Sequence, residues 1–172
     1  MCYNARMQNA DQRALRQLAA TLAYRAAKVL RDVPPSFAQY SCGDSTRTPL
    51  RIVAHLADLM AWGTSIAKGG YDWKAAGGDD WNGEVDRFFA GLASLDAALA
   101  ADDFNGSVEK MIQGPLADAL THVGQLAMLR GMAGVPVRPE SYAKAAITIG
   151  RVGREQEAAL REFDGDASMP KK

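Results

Sequence analysis

Thr48-Pro-Leu-Arg-Ile-Val-Ala-His-Leu-Ala-Asp-Leu-Met-Ala-Trp-Gly-Thr-Ser-Ile-Ala-Lys68 carries both a helix start signal and a long helical period. Thr48 suits an N-cap, and Pro49 suits the first helical position, where a missing N–H costs nothing. Ile52, His55, Leu59, Trp62 and Ile66 recur on one face, with Val53, Leu56 and Met60 beside them. Gly69-Gly70 supplies the stop. The segment therefore reads as a helix with one apolar face, and that face holds a histidine expected to point into the core.

The same period appears on either side. Leu15, Leu18, Ala19, Leu22, Ala26, Val29 and Leu30 predict a helix over about residues 10–32, ended by Pro34-Pro35. Val85, Phe88, Phe89, Leu92, Leu95 and Leu99 predict another over about 84–101. A fourth is expected from Gly114-Pro115 to Gly134, with Asp118, His122, Gln125, Leu129 and Met132 on one face. Beyond Pro139 the pattern weakens: 142–149 and 155–163 are expected as short helices, and 165–172 as a disordered tail. With no alternating strand pattern and no internal repeat, the expectation is one all-α domain spanning 1–172, a four-helix bundle with a core over about 10–163 and a less regular C-terminal segment.

Composition narrows the function classes. Lys plus Arg and Asp plus Glu number 20 each, so no bulk positive field draws nucleic acid or an anionic membrane. No apolar run approaches the roughly 18 residues of a membrane span, and the N-terminus lacks a secretory core. A cytoplasmic location follows as the expectation. Cys2 and Cys42 form no CxxC unit and read as incidental thiols. The stretch 69–83 reads as a loop with five glycines and Tyr71, Trp73 and Trp81. Its aromatics either clamp it to the body or close it as a lid over a pocket.

The chain has only two histidines, and each has an acid on its helix face: Asp58 three residues after His55, and Asp118 four residues before His122. If the second and fourth helices face one another, His55, Asp118 and His122 form a three-ligand set with room for water or substrate, as a divalent metal at a catalytic centre requires. Asp58 and Gln125 are candidates to orient the imidazoles, and Asp58 is also the nearest candidate general base, with Glu109 the weaker one. The rival reading is that both histidines are hydrogen-bonded core residues.

The segments His55-Leu-Ala-Asp-Leu-Met-Ala-Trp62 and Gly114-Pro-Leu-Ala-Asp-Ala-Leu-Thr-His-Val-Gly-Gln-Leu-Ala-Met-Leu-Arg130 resemble the two metal-bearing helices of the DinB-like superfamily of four-helix-bundle metalloproteins. The likeness covers about residues 10–135. It implies a divalent ion, commonly Ni²⁺ or Zn²⁺, held by a histidine of the second helix and a His-x-x-x-His pair of a later one. His55 takes the first place and His122 the last. Asp118 stands in the middle place, where a histidine is usual, and tilts the choice toward harder ions such as Mn²⁺ or Fe²⁺. The implied activity is a metal-dependent hydrolase or thiol-dependent transferase acting on an unidentified small molecule. The alternatives are a non-catalytic small-molecule-binding or stress-response bundle with a degenerate site, and a structural homodimer.

Overall fold

A computed structural model describes residues 2–163; the Cys2 side chain and the expected disordered tail over 165–172 lie outside what it describes. Within it the chain is all-α. The long elements are α1 (Cys2–Leu30), α2 (Pro49–Ala67), α3 (Trp81–Ala100) and α5 (Ala117–Met132), with a short α4 (Val108–Met111) joined to α5 through a π-helical turn over Ile112–Leu116. α2 packs most extensively on α3, and both α1 and α2 pack on α3 and α5. No helix among the described residues is long and apolar enough to cross a membrane.

The core lies where the apolar stripes meet. Leu15 and Leu22 of α1, Leu56, Leu59 and Met60 of α2, and Phe88, Leu92, Leu95 and Leu99 of α3 are all fully buried. Truncating one of these leucines to alanine costs about 2–5 kcal/mol, through lost burial and the cavity left behind. α2 and α3 approach closely because Gly91 lacks a side chain: a Cβ there would sit 2.8 Å from Met60 Cβ.

Four boundaries differ from expectation. α1 begins at Cys2, about eight residues before the expected start near 10. α1 ends at Leu30 rather than Asp32, with Asp32 in the left-handed region at φ 53°. α3 starts at Trp81, three residues early, because the Asp80 side chain accepts the Gly83 N–H at 2.6 Å and caps it. Gly114-Pro115 does not open a helix. The helix starts at Val108, where Ser107 caps it by accepting from Lys110 N at 3.2 Å, and Gly114-Pro115 forms a kink within it. A proline ring clashes with the preceding turn of a regular helix. Here the wide turn and the non-helical ψ of −105° at Gly114 make room for it, one turn before Asp118.

The C-terminal segment is irregular. Only Tyr142–Lys144 forms a short 3₁₀ turn, and 155–163 is not helical. Backbone donors that a helix would use go across the segment instead: Ser141 N–H to Arg161 O at 3.1 Å and Phe163 N–H to Pro139 O at 2.9 Å. A charge network fastens the segment to α1. Tyr24 Oη donates to Glu140 at 2.6 Å, and Lys28 Nζ donates to Glu140 at 2.8 Å and Glu162 at 2.7 Å. The buried Arg130 guanidinium ties α5 to the end of α1 by donating to the carbonyls of Val29 and Arg31, which lack helical partners.

Candidate metal centre

His55 projects from the second turn of α2, while Asp118 and His122 stand one turn apart on α5. Because α2 and α5 are neighbours, the three meet. His55 Nε2 lies 3.2 Å from Asp118 Oδ2, and His122 Nε2 lies 3.3 Å from Asp118 Oδ1. The imidazole rings stand at 90° with centroids 4.8 Å apart. One ligand atom from each of the three falls within 4.8 Å of the others, and no further His, Cys, Asp or Glu group of this kind occurs among the described residues.

The distances bear on two uses of the cluster. Charge-assisted N–H···O⁻ bonds favour about 2.7–2.9 Å. Ligands on a tetrahedral ion with bonds of about 2.0–2.1 Å lie about 3.3 Å apart. The observed 3.2 Å to Asp118 Oδ2 and 3.3 Å to Oδ1 are long for the first and compatible with the second. The side chains of His55, His122 and Asp118 are 20%, 10% and 43% exposed, so the imidazoles are walled in and the carboxylate faces the opening.

Gln125 supplies the sharpest constraint. Its Oε1 lies 2.6 Å from His122 Nδ1. An amide oxygen can only accept, so Nδ1 donates to it and Nε2 is the ring nitrogen turned toward Asp118 Oδ1. Either a bound cation or a second ring proton can join Nε2 to that carboxylate oxygen. This donor set and spacing fit a divalent ion.

The cluster opens onto a cavity of about 660 Å³, lined also by Cys42, Thr46 and Arg47 from the segment before α2, and by Ile52, Gln125, Met128 and Leu129. His55 therefore faces this cavity rather than the core. Cys42 is exposed, and its thiol lies 3.6 Å from Thr46 Oγ1. Neither Cys42 nor Arg47 belongs to a helix, so no periodicity marked them as site residues.

Asp58 does not touch His55. Three residues advance a helix by about 300°, which turns Asp58 roughly 60° away from His55 and toward α3. There Arg87 Nη1 donates to Asp58 at 2.7 Å, Arg87 Nη2 to the Ala54 carbonyl at 2.8 Å, and Arg87 Nε to Glu84 at 2.8 Å. Burial lowers the Arg87 pKa, but its bonds to Asp58 and Glu84 outweigh that and hold it above the ordinary value. Asp58 is thus a bound structural carboxylate and not a general base. Glu109 bonds Ser107 at the start of α4 and does not line the cavity.

The loop after α2 is fastened by the same network: Ala76 N–H donates to Asp58 at 3.1 Å, and Gly78 N–H donates to Glu84. Its aromatics pack edge-on, Tyr71 on Trp62 at 5.3 Å and Trp73 on both Trp62 at 5.7 Å and His55 at 5.6 Å. Trp73 therefore backs the His55 ring, but neither Trp73, Tyr71 nor Trp62 lines the cavity. Trp81 heads α3 and packs on Phe37, with ring centroids 5.9 Å apart. Comparison of the chain with protein-family models, curated proteins and solved structures finds no match.

Proposed function

We propose that the chain binds one divalent metal ion through His55, Asp118 and His122, and that this centre serves a metal-dependent hydrolase or thiol-dependent transferase of the DinB-like kind acting on a small molecule. The observation that carries this reading is the meeting of His55, Asp118 and His122, whose ligand atoms lie within 4.8 Å of one another, with Gln125 bonded to the other ring nitrogen of His122. Zn²⁺, Ni²⁺, Mn²⁺ and Fe²⁺ all suit two imidazoles and one carboxylate, with Asp118 favouring the harder ions. When bound, such an ion supplies Lewis acidity, which polarises a carbonyl and eases deprotonation of water or a thiol.

The protein's own groups divide the remaining work. Gln125 holds the His122 ring in one tautomer. Trp73 backs the His55 ring and limits its rotation. Ile52, Met128 and Leu129 give the cavity an apolar wall that reduces water around a ligand.

One observation favours the non-catalytic alternative. With Asp58 held by Arg87, the residues lining the cavity include no carboxylate or imidazole beyond the three ligands. Chelator-treated protein assayed on ester, amide and thiol-transfer substrates, with and without Zn²⁺, Ni²⁺ and Mn²⁺, separates the readings. Metal-dependent turnover lost in His122→Ala is the expected result. Stoichiometric metal binding without turnover selects the binding bundle, and failure to bind any of these ions overturns both the centre and its chemistry.

A further inference from the structure

The cavity holds a second polar feature that the metal centre does not use. Arg47, an exposed residue, lines it, and no ion pair, hydrogen bond or ring contact engages its guanidinium among the described residues. Arg16 is committed to Asp96, Arg87 to Asp58 and Glu84, and Arg130 to three backbone carbonyls, while Arg13, exposed on α1, shares the unengaged state of Arg47 but lines a different surface. A guanidinium presents a planar fork of donors matched to a carboxylate and is always charged. The same cavity also has an apolar lining from Ile52, Leu129 and Met128; Met128 is 60% exposed. A flexible thioether adapts to differently shaped apolar ligands.

We propose that this cavity binds an amphipathic organic carboxylate, with its anionic group paired to Arg47 and its apolar body against Ile52, Met128 and Leu129. The His55–Asp118–His122 cluster lines the same cavity, so this assignment deepens the metal-centre reading and rests on it for the reacting end only. Arg47 and the Asp118 carboxylate are the charged groups beside the imidazoles in this lining, and Asp118 is already engaged by both rings. A monoanion gains a partner at Arg47, whereas a cation meets an unpaired guanidinium there. The cavity volume of about 660 Å³ lies within the range of about 300–1,000 Å³ usual for small-molecule sites.

The probes are hexanoate, hexanol and hexylammonium, titrated into full-length protein and followed by amide NMR shifts, with and without bound Zn²⁺. The expected result is that hexanoate binds about tenfold more tightly than hexanol and that hexylammonium binds weakest. In Arg47→Gln the carboxylate preference disappears, in Arg47→Lys part of it returns, and metal content stays as in the parent. A preference that survives Arg47→Gln overturns the assignment. So does one that vanishes on metal removal with Arg47 intact, which would place the carboxylate on the metal and leave the metal centre standing. Failure of all probes to saturate also overturns it. An Arg47-dependent preference in a chain that binds no metal keeps the subsite and refutes the metal centre instead.

Discussion

Replacing Gln125 with leucine removes the acceptor that orients His122 while leaving all three proposed ligands in place. The bond is short, 2.6 Å from Oε1 to Nδ1. Without it the ring is free to put its proton on Nε2, the atom that must face the ion. Partners of this kind contribute about 10–100-fold to metal affinity. Gln125 is exposed, so water replaces part of what it does, and the lower end of that range, about tenfold, is expected. That factor corresponds to about 1.4 kcal/mol. Metal-free stability should change by less than about 0.5 kcal/mol, as for other exposed positions. Gln125→Glu keeps an acceptor and adds negative charge, so it should bind the ion at least as tightly as the parent. Zn²⁺ affinity is read by competition with a chromophoric chelator, and imidazole ¹⁵N shifts report the His122 tautomer. Leucine and glutamate variants that both match the parent within twofold, or that weaken equally, would refute this role for Gln125.

Arg87→Met should destabilise the fold by about 3 kcal/mol, because Asp58 and Glu84, each 5% exposed, lose their cation. The midpoint of thermal unfolding should fall by about 6–12 °C; adding Asp58→Asn and Glu84→Gln to the same chain should recover part of that loss, and no recovery would show the carboxylates are not the strained element. Gly114→Ala places a methyl carbon 2.9 Å from Trp62 Cη2, so the indole must shift. We expect a loss of about 1–3 kcal/mol in urea unfolding together with altered tryptophan emission, and an unchanged chain would mean that the kink has room to spare. The docking of the C-terminal segment on α1 should weaken at both pH extremes. Lys28 holds Glu162 below its ordinary value of 4.5, so this stabilisation is present above that value and is lost as pH falls through the depressed pKa. Burial lowers the Lys28 pKa, but its bonds to Glu140 and Glu162 outweigh that and raise it above 10.5; its share is therefore present below 10.5 and lost as pH rises through the raised pKa. Amide exchange over 138–163 measures this, and exchange rates that follow only the intrinsic pH dependence throughout would contradict it.

Legibility in the sequence followed the range of the interaction involved. α2 could be placed to within a residue because its start is written locally: the Thr48 side chain accepts from Arg51 N–H, and Pro49 follows it. His55, Asp118 and His122 stood out because their helix faces are set by spacing alone, and the meeting of α2 with α5 then brought them together. Asp58 was misread because a helix face is broad. The choice between His55 and α3 was made by Arg87, 29 positions away. The Gly114-Pro115 pair resembles a helix start, yet Ser107 had already capped the helix, and the proline is accommodated by the wider turn. The segment 155–163 contains a helix-compatible run, but pairing of its backbone with 139–141 competes with that conformation. Cys42 and Arg47 lie in irregular chain whose position is set by tertiary packing, so their presence at the cavity had no sequence signal.

The most direct test is the metal content of untagged protein by mass spectrometry, beside His55→Ala and His122→Ala. Two imidazoles and a carboxylate spaced at 3.2 and 3.3 Å predict about one divalent ion per chain in the parent and none in either variant. A parent chain that is empty, and stays empty after dialysis against Zn²⁺, Ni²⁺ and Mn²⁺, would contradict the metal centre and leave the two histidines as hydrogen-bonded residues of a helical fold.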